Sequence, residues 1–583
     1  MPHCFNDISN DPIDGILCRQ AARRRSALDR VCRYAFDELL GEKESGRAAG
    51  PAVQRVAESV HGSCRIPAVG SFPEHFNAAA FFVDRHVAEG RGARMAFRFG
   101  GRAITYADLA ASVDRCANAL AALGVEIEHR VLLVLNDSPA FAAAFWGAAK
   151  LGAVAVPVNT LMTPAEYEFL LADSRACVAI VEESVAGRLL AVRHRCPALR
   201  AVVVVGSRGL PGTHDFDELL AAAKPTCEPA RTLAEDICYW GYTSGSTGEP
   251  KAAVHSHAHF LAAADLVGVG VFGLEADDLV FSASKMFFAF GLGNSLYFPA
   301  RVGGASVLVP ERIDAERAFE VIAGERPTVF FTVPTLYARM LAIDDAERRW
   351  DLSSLRYCVS SGEALPPAIF DAWAERFGLE LVEVVGSTEA LHDFIANTPG
   401  AARRAASGRL VPGFEARLLD DAGAPVGDGV VGHLLIKGPT TSPYYWNRLE
   451  RTRATMHGSW LSTGDMFARD AEGVFTFAGR ADDMLKVAGL WVSPAEIEAA
   501  LVEHPGVLEA GVVGVPDGDG LTRPHAVVVL KEGWIASPDL AATLTEFVRR
   551  RAGGHRAPAT LVFADELPKT VTGKVQRFRL RPT

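Results

Sequence analysis

From Phe72 onward, short apolar runs alternate with longer stretches in which apolar residues recur at helical spacing. Val131–Leu135 is a compact apolar run suited to a buried strand, Ala140–Leu151 is helix-like, and Val154–Val158 is strand-like again. Val178–Glu182, Ala201–Val205, Ser306–Val309, Thr328–Thr332 and Leu381–Val385 repeat the strand pattern. Thr105 stands where it can cap a helix whose apolar positions continue through Leu120. This alternation predicts α/β layers with largely parallel strands. After Pro412 the texture changes. Ala416–Leu419, His433–Lys437 and Val474–Ala478 read as short strands joined by Gly/Asp turns such as Asp421-Ala-Gly423, which predicts a β-rich subdomain. Beyond Gly479-Arg480, Ser493 followed three residues later by Glu496 starts a helix that runs to Leu501. Val507–Val515 and Ala526–Leu530 read as strands and Leu540–Arg551 as a helix, together a compact α+β domain of about 100 residues.

The expected fold is therefore α/β. A large domain of layered α/β subdomains plus a β-rich subdomain covers residues 71–480, and a small α+β domain covers 481–583. Residues 1–70 do not share the pattern. Ala21–Glu44 could form a helix with Leu28, Val31, Ala35 and Leu39 near one face and Arg23, Arg24 and Arg25 as a basic cluster. This stretch reads as an extension, with a docking segment for a partner as the alternative.

Composition narrows the picture. A chain of 583 residues exceeds one ordinary core, and 49% hydrophobic with 22% charged residues is a globular balance. A formal charge of −11 argues against nucleic acid or an anionic membrane as the main partner. The ten cysteines are scattered with no C-x-x-C pair, which reads as reduced thiols rather than disulfides or a zinc site. The first residues lack the apolar core of a signal peptide. The apolar stretch Ala140–Val158 is cut by Lys150 and Pro157, so it reads as a buried helix and turn rather than a membrane span. The expected location is the cytoplasm, as a monomer or homodimer.

The richest chemistry lies in Tyr242-Thr-Ser-Gly-Ser-Thr-Gly-Glu-Pro-Lys251. Thr243, Ser244, Ser246 and Thr247 supply hydroxyls, Gly245 and Gly248 allow successive backbone N–H groups to converge on an anion, and Lys251 adds a cation. This equipment suits a polyphosphate, although the lysine does not directly follow the glycine as in G-x-x-x-x-G-K-[ST]. The bland alternative is a Ser/Gly-rich surface loop.

Three later segments decide between them: Gly386-Ser-Thr-Glu389, Ser462-Thr-Gly-Asp465 with Gly479-Arg-Ala-Asp-Asp483, and Pro568-Lys-Thr-Val-Thr-Gly-Lys574. In order and spacing the four resemble the adenylate-forming superfamily of acyl-CoA synthetases, adenylation domains and luciferases, from about Phe72 to the end. Phe287-Phe-Ala-Phe-Gly-Leu-Gly-Asn-Ser295, Pro334-Thr-Leu-Tyr-Ala338, Ser361-Gly-Glu-Ala-Leu-Pro366, Asp483-Met-Leu-Lys-Val487 and Gly489-Leu-Trp-Val-Ser-Pro494 look most like the benzoate-CoA ligase group. The resemblance implies an acid–thiol ligase that uses ATP and Mg2+. A carboxylate attacks the α-phosphate of ATP to give an acyl-adenylate and pyrophosphate, and a thiol, usually that of CoA, then displaces AMP. The alternative acceptor is a carrier-protein phosphopantetheine thiol or an amine. A catalytically dead nucleotide-binding protein is a further class, and the set Lys574, Glu389, Asp465 and Arg480 argues against it.

The resemblance also implies roles. Lys574 bridges carboxylate and α-phosphate, Glu389 beside Thr388 is the magnesium-associated carboxylate, and Asp465 accepts the ribose hydroxyls with Arg480 also on the nucleotide. Gly362-Glu363-Ala364 packs against adenine, and Gly386 and Ser387 border the ATP site with the 243–248 loop. The small domain is mobile: Asp482 is its hinge, Gly489 admits the thiol arm, and Lys486 lies between them. Ala289, Phe290, Phe298, His392 and Asp393 line the acyl pocket. The group usually has Tyr in place of Phe290 and an aliphatic residue in place of Asp393. A carboxylate in an aromatic pocket is costly unless paired. Its partner is either an amino or hydroxyl substituent on a benzoate ring, or His392 or a nearby Arg.

Overall fold

Arg130–Val134, Val154–Pro157, Val178–Glu182 and Ala201–Val205 form the centre of a seven-stranded sheet. The computed structural model describes residues 73–206, 209–244, 249–487, 490–517, 522–569 and 575–582, apart from the side chains of Ser244, Lys486, Leu490, Trp491, His555 and Phe578. The helix expected over 21–44 lies outside the described residues. In this sheet the order runs His214–Asp215, Ala201–Val205, Val178–Glu182, Arg130–Val134, Val154–Pro157, Ile237–Ser244, Pro250–Ser256. Every neighbouring pair is parallel except the last, an antiparallel hairpin that carries the Ser/Gly loop at its tip. That hairpin was not anticipated, because its strands mix polar residues with apolar ones.

Helix Pro139–Lys150 begins with Ser138 accepting from the Phe141 N–H and with Pro139 in the first turn. All its residues from Phe141 to Lys150 are buried. Lys150 ends it against Asp84 (2.8 Å) and Asp114, which is how a protein tolerates a buried ammonium. Thr105 and Asp108 form a reciprocal capping box at the start of helix Tyr106–Ala122.

A second, fourteen-stranded sheet contains a parallel run in the order Met95–Phe99, Ala305–Leu308, Leu279–Ser282, Val329–Thr332, Tyr357–Ser360, Leu381–Gly386. It then turns antiparallel through Asp393–Ala396 and Gly408–Leu410 into Val474–Arg480, Trp460–Arg469, Gly432–Lys437 and Glu415–Leu419. The β-rich region after Pro412 thus continues this sheet by hydrogen bonding. Gly408 makes the join: its φ is 109°, and a Cβ there would lie 2.1 Å from the Ala396 carbonyl carbon.

Toward the C-terminus, Val507–Pro516, Thr522–Leu530 and Thr560–Phe563 form a three-stranded sheet. Helices Pro494–Val502 and Pro538–Ala552 flank it, and Ile497, Leu501, Val512, Ala526, Val528, Leu544 and Val548 share one core. Ser493 caps the first helix by accepting from the Glu496 N–H. Arg577 donates to both Glu498 oxygens (3.1 and 2.7 Å) and to Asp483 (3.3 Å). Among the described residues, no helix is long and apolar enough to cross a membrane.

Glu383, in the middle of Leu381–Gly386, is buried. Burial pushes its carboxyl up to about 7, against the lowering effect of the Leu365 N–H and the Ser407 hydroxyl. In the unfolded chain it ionises near 4.3, so the folded state holds the extra proton between there and about 7. Its contribution to stability is therefore complete below the unfolded pKa and falls as pH rises through that window. Glu383→Gln removes the titrating group. Its melting temperature relative to the parent should rise by several degrees between pH 5 and pH 8, as thermal scans at the two pH values would reveal.

Candidate active site

Strand Leu381–Gly386 ends at the edge where ligands collect in open parallel sheets. Ser387 caps the following turn by accepting from the Ala390 N–H (3.2 Å), and Thr388–Ala390 form a single tight helical turn. Leu391 closes it at φ 66°, a left-handed conformation that costs of order 1–3 kcal/mol for such a residue and marks the turn as held in place by its surroundings. Those surroundings are visible. His255 Nε2–H donates to the Thr388 carbonyl (2.8 Å), the Ser442 N–H donates to the Glu389 carbonyl (2.7 Å), and the Thr440 hydroxyl donates to the Ala390 carbonyl (2.7 Å). Because the Thr388 carbonyl can only accept, His255 Nδ1 is the acceptor in the neutral ring and takes the His259 Nδ1–H at 3.1 Å. Burial pushes His255 down to about 4, so it stays neutral at ordinary pH.

The turn presses on the hairpin from below. A Cβ on Gly241 would come within 2.5 Å of the Thr388 methyl and 2.7 Å of the Tyr239 hydroxyl. Gly241 is thus required by contact, at the start of the run Tyr242-Thr243-Ser244. Thr243 pairs across the hairpin with Lys251, and Ser244 with Pro250. Gly245, Ser246, Thr247 and Gly248 lie outside the described residues, as does the Ser244 side chain.

Lys251 Nζ donates to the Tyr445 hydroxyl (2.7 Å), lies 3.9 Å above that ring and is 3.6 Å from Glu389 Oε1. The Tyr445 hydroxyl in turn donates to Glu389 Oε1 (2.6 Å). Burial lowers the Lys251 pKa against the support of Glu389, and Arg451 and Arg480 add to the lowering. Burial pushes the Tyr445 hydroxyl up, and the Glu389 charge pushes it further. Tyr445 was missed in the sequence.

Asp465 and Arg480 face each other across an antiparallel pair, with Arg480 Nη1 donating to Asp465 Oδ1 (2.8 Å) and to the Thr463 carbonyl (3.2 Å). Gly464 takes φ 74° between them and would meet the Arg480 guanidinium at 3.0 Å if it had a Cβ. Burial works against the Arg480 charge, but Asp465, then Glu389 and Asp483, more than offset it and raise its pKa. The Thr335 hydroxyl donates to Glu363 (2.9 Å), and neighbouring Gly362 turns at φ 88°. Lys251, Glu389, Asp465 and Arg480 therefore belong to one electrostatic cluster.

The candidate acyl pocket lies beside the same turn. His392 is buried with its ring 4.4 Å from that of Phe298 and 5.4 Å from that of Phe290, centroid to centroid. Its Nδ1–H donates to Asp393 Oδ2 (2.9 Å), and Nε2 lies 3.3 Å from the Phe290 carbonyl oxygen. Asp393 thus has a partner within the protein. Its other oxygen faces Gly386, where a Cβ would approach to 2.6 Å. Ala289 is buried nearby in the same local chain segment, at the start of helix Ala289–Leu292. Gly293, Asn294 and Tyr297 were missed in the sequence. A Cβ on Gly293 would come within 2.3 Å of the His392 ring, and the Asn294 amide and Tyr297 hydroxyl are buried without a hydrogen-bond partner in the described structure.

Asp482 is exposed after Arg480, and Asp483 accepts from Arg577. Lys574 and Gly489 lie outside the described residues, as does the Lys486 side chain. Among the described residues no group of three His, Cys, Asp or Glu side chains converges as a metal cage. The Glu389 carboxylate alone suits a hard dication that draws its remaining ligands from phosphates and water, as Mg2+ does.

Comparison with known proteins gives matches over most of the chain. The AMP-binding enzyme family matches residues 84–446, and the AMP-binding enzyme C-terminal domain matches 496–574. The chain is 42% identical to the benzoate–CoA ligase of Thauera aromatica, over 90% of this chain and 99% of that one. It is 43% identical to the 4-hydroxybenzoate–CoA/benzoate–CoA ligase of Rhodopseudomonas palustris, over 87% of this chain and 94% of that one. The crystal structure of the anthranilate CoA ligase AuaEII in complex with anthranoyl-AMP superposes with a TM-score of 0.85 at 40% identity, covering 87% of this chain and 97% of that one.

Proposed function

The chain belongs to the AMP-binding enzyme family, and from that premise we propose that it is an aromatic acid–CoA ligase. It activates a benzoate-type acid with ATP to an aryl-adenylate and pyrophosphate, and then forms the CoA thioester with release of AMP. The observation that carries this reading is the adjacency of the aromatic group Phe290, Phe298 and His392, with Asp393, to the charged cluster of Lys251, Glu389, Asp465 and Arg480, which we read as the acyl and phosphate sites.

Each residue has work that suits its chemistry. Two anions meet in the first step, and the cations Lys251 and Arg480 offset their repulsion. Asp465 is a double acceptor for vicinal hydroxyls. Glu389 holds Mg2+, which when bound neutralises phosphate charge and orients the leaving pyrophosphate. The family pattern assigns Lys574 to the α-phosphate, Gly362–Ala364 to adenine and Asp482 to the hinge. Residues 71–480 then carry both sites, and 481–583 act as the lid that rotates between steps. ATP and CoA as co-substrates, with six described cysteines all free, fit a cytoplasmic location.

Within this class, benzoates bearing an amino or hydroxyl group come ahead of benzoate itself. Asp393 supports this: one oxygen is committed to His392, none of the described hydrogen bonds uses the other, and a ring N–H or O–H is a suitable donor for it. The anthranilate ligase points the same way, while the names of both curated relatives include benzoate, so benzoate itself stays in the tested set.

The test is CoA-dependent turnover across benzoate, aminobenzoates, hydroxybenzoates, cinnamates and hexanoate, with the products identified by mass. A substituted benzoate should give its CoA thioester and AMP. Adenylate that accumulates and ignores CoA would move the acceptor to a carrier protein or an amine. Asp393→Ile should lower the preference for the substituted ring over benzoate by at least about tenfold, the loss of one hydrogen bond to a charged group. An unchanged ranking of acids would leave Asp393 as a structural partner of His392 alone.

A further inference from the structure

Glu389 and Lys251 come from different sheets, one from the turn after Leu381–Gly386 and the other from the hairpin strand Pro250–Ser256. The segment 440–446 ties the two together. Thr440 and Ser442 bond the carbonyls of Ala390 and Glu389. The Ser442 hydroxyl also accepts from the Val254 N–H (3.1 Å), and the Trp446 N–H donates to the Ala252 carbonyl (2.9 Å). Tyr445, only 2% exposed, pairs with Ala253 as an isolated bridge and points its hydroxyl between the two charges.

We propose that Tyr445 is a positioning residue for the metal-binding carboxylate: its hydroxyl fixes Glu389 and holds Lys251 at a set distance from it. The direction of the chain is forced. An ammonium only donates and a carboxylate only accepts, so the hydroxyl between them must accept from Lys251 and donate to Glu389. It leaves Glu389 Oε2 outside the hydrogen bond from Tyr445. It also gives Lys251 a partner other than Glu389, so the ammonium and carboxylate stay 3.6 Å apart instead of closing into a direct hydrogen-bonded pair. Without the hydroxyl the two close on each other, and Mg2+ and phosphate must then compete with that ion pair. Phenylalanine keeps the ring under Lys251 and removes only the relay.

This inference rests on the reading of Glu389 as the carboxylate that holds Mg2+, and the test separates the two. Calorimetric binding of ATP to the full chain is measured across a Mg2+ titration for the parent, Tyr445→Phe, Glu389→Gln and the double variant, with melting temperatures alongside. Tyr445→Phe should raise the Mg2+ concentration for half-maximal ATP binding about tenfold, the effect of one charge-assisted hydrogen bond. It should leave the melting temperature close to the parent's and add little in the Glu389→Gln background. A parent-like Mg2+ dependence in Tyr445→Phe, alongside a shifted one in Glu389→Gln, overturns the role of Tyr445 while leaving Glu389 in place. A parent-like dependence in Glu389→Gln takes down both. A lower melting temperature with unchanged Mg2+ dependence reduces Tyr445 to packing.

Discussion

Glu389→Gln is expected to slow acid-dependent pyrophosphate release on the order of 10²- to 10³-fold in kcat/KM while the protein stays folded. The substitution preserves shape and deletes one charge. One unit charge facing another at about 4 Å is worth roughly 4 kcal/mol at an effective dielectric of 20, and each 1.4 kcal/mol is a factor of ten in rate. The carboxylate is also well placed to be missed if lost. Its backbone is fixed by Ser442, its turn by His255 and Thr440, and one oxygen by Tyr445, so the carboxylate is held in one place. Initial rates at saturating ATP across a Mg2+ series check this. A loss of less than tenfold at every Mg2+ concentration would remove Glu389 from the metal site.

Gly241→Ala carries the second large effect. The new methyl meets the Thr388 methyl at 2.5 Å and the Tyr239 hydroxyl at 2.7 Å, closer than real Cβ contacts come. Tyr239 is buried in the central core, so the turn at 388–389 has to give. A displacement of about 1 Å of a positioned group costs on the order of 10²-fold in rate. Overpacking itself costs about 1–3 kcal/mol of stability. Thr388→Ser removes the opposing methyl. Gly241→Ala should therefore cost less activity on the Thr388→Ser background than on the parent, a comparison that single-variant and double-variant rates provide. Equal costs on both backgrounds would mean that the Thr388 contact does not transmit the effect.

Arg130–Val134, Val154–Pro157, Val178–Glu182, Ala201–Val205, Ala305–Leu308, Val329–Thr332 and Leu381–Gly386 were legible because each is a short apolar run buried on two faces, whereas the parallel strands Met95–Phe99, Leu279–Ser282 and Tyr357–Ser360 were not anticipated. Helix Pro139–Lys150 was legible from its apolar run, and Lys150 and Pro157 told the stretch apart from a membrane span by cutting it; the structure adds the partners of Lys150, Asp84 and Asp114. The residues around the charged cluster of Lys251, Glu389, Asp465 and Arg480 were legible where local chemistry is concentrated, as in Tyr242–Lys251 and Gly386–Glu389. Tyr445 was not: its two partners lie 194 and 56 residues away, and nothing in Tyr-Tyr-Trp marks one phenol as a relay. Gly241 and Gly293 were equally silent. Each is a glycine because a side chain from a distant segment occupies the space its Cβ would need. The continuity of the β-rich region with the second sheet was hidden for a related reason, since it depends on the backbone contact of Gly408 with Ala396. Asp393 was legible as an anomaly, and of the protein partners expected for it the structure shows His392.

The most direct measurement is ATP–pyrophosphate exchange in the absence of CoA, followed by addition of CoA. Exchange should require both Mg2+ and an aromatic acid. CoA should then release one AMP for each aryl-CoA formed, with no ADP. Exchange that no aromatic acid supports, or a thioester formed with ADP rather than AMP, would contradict an adenylate-forming aromatic acid–CoA ligase.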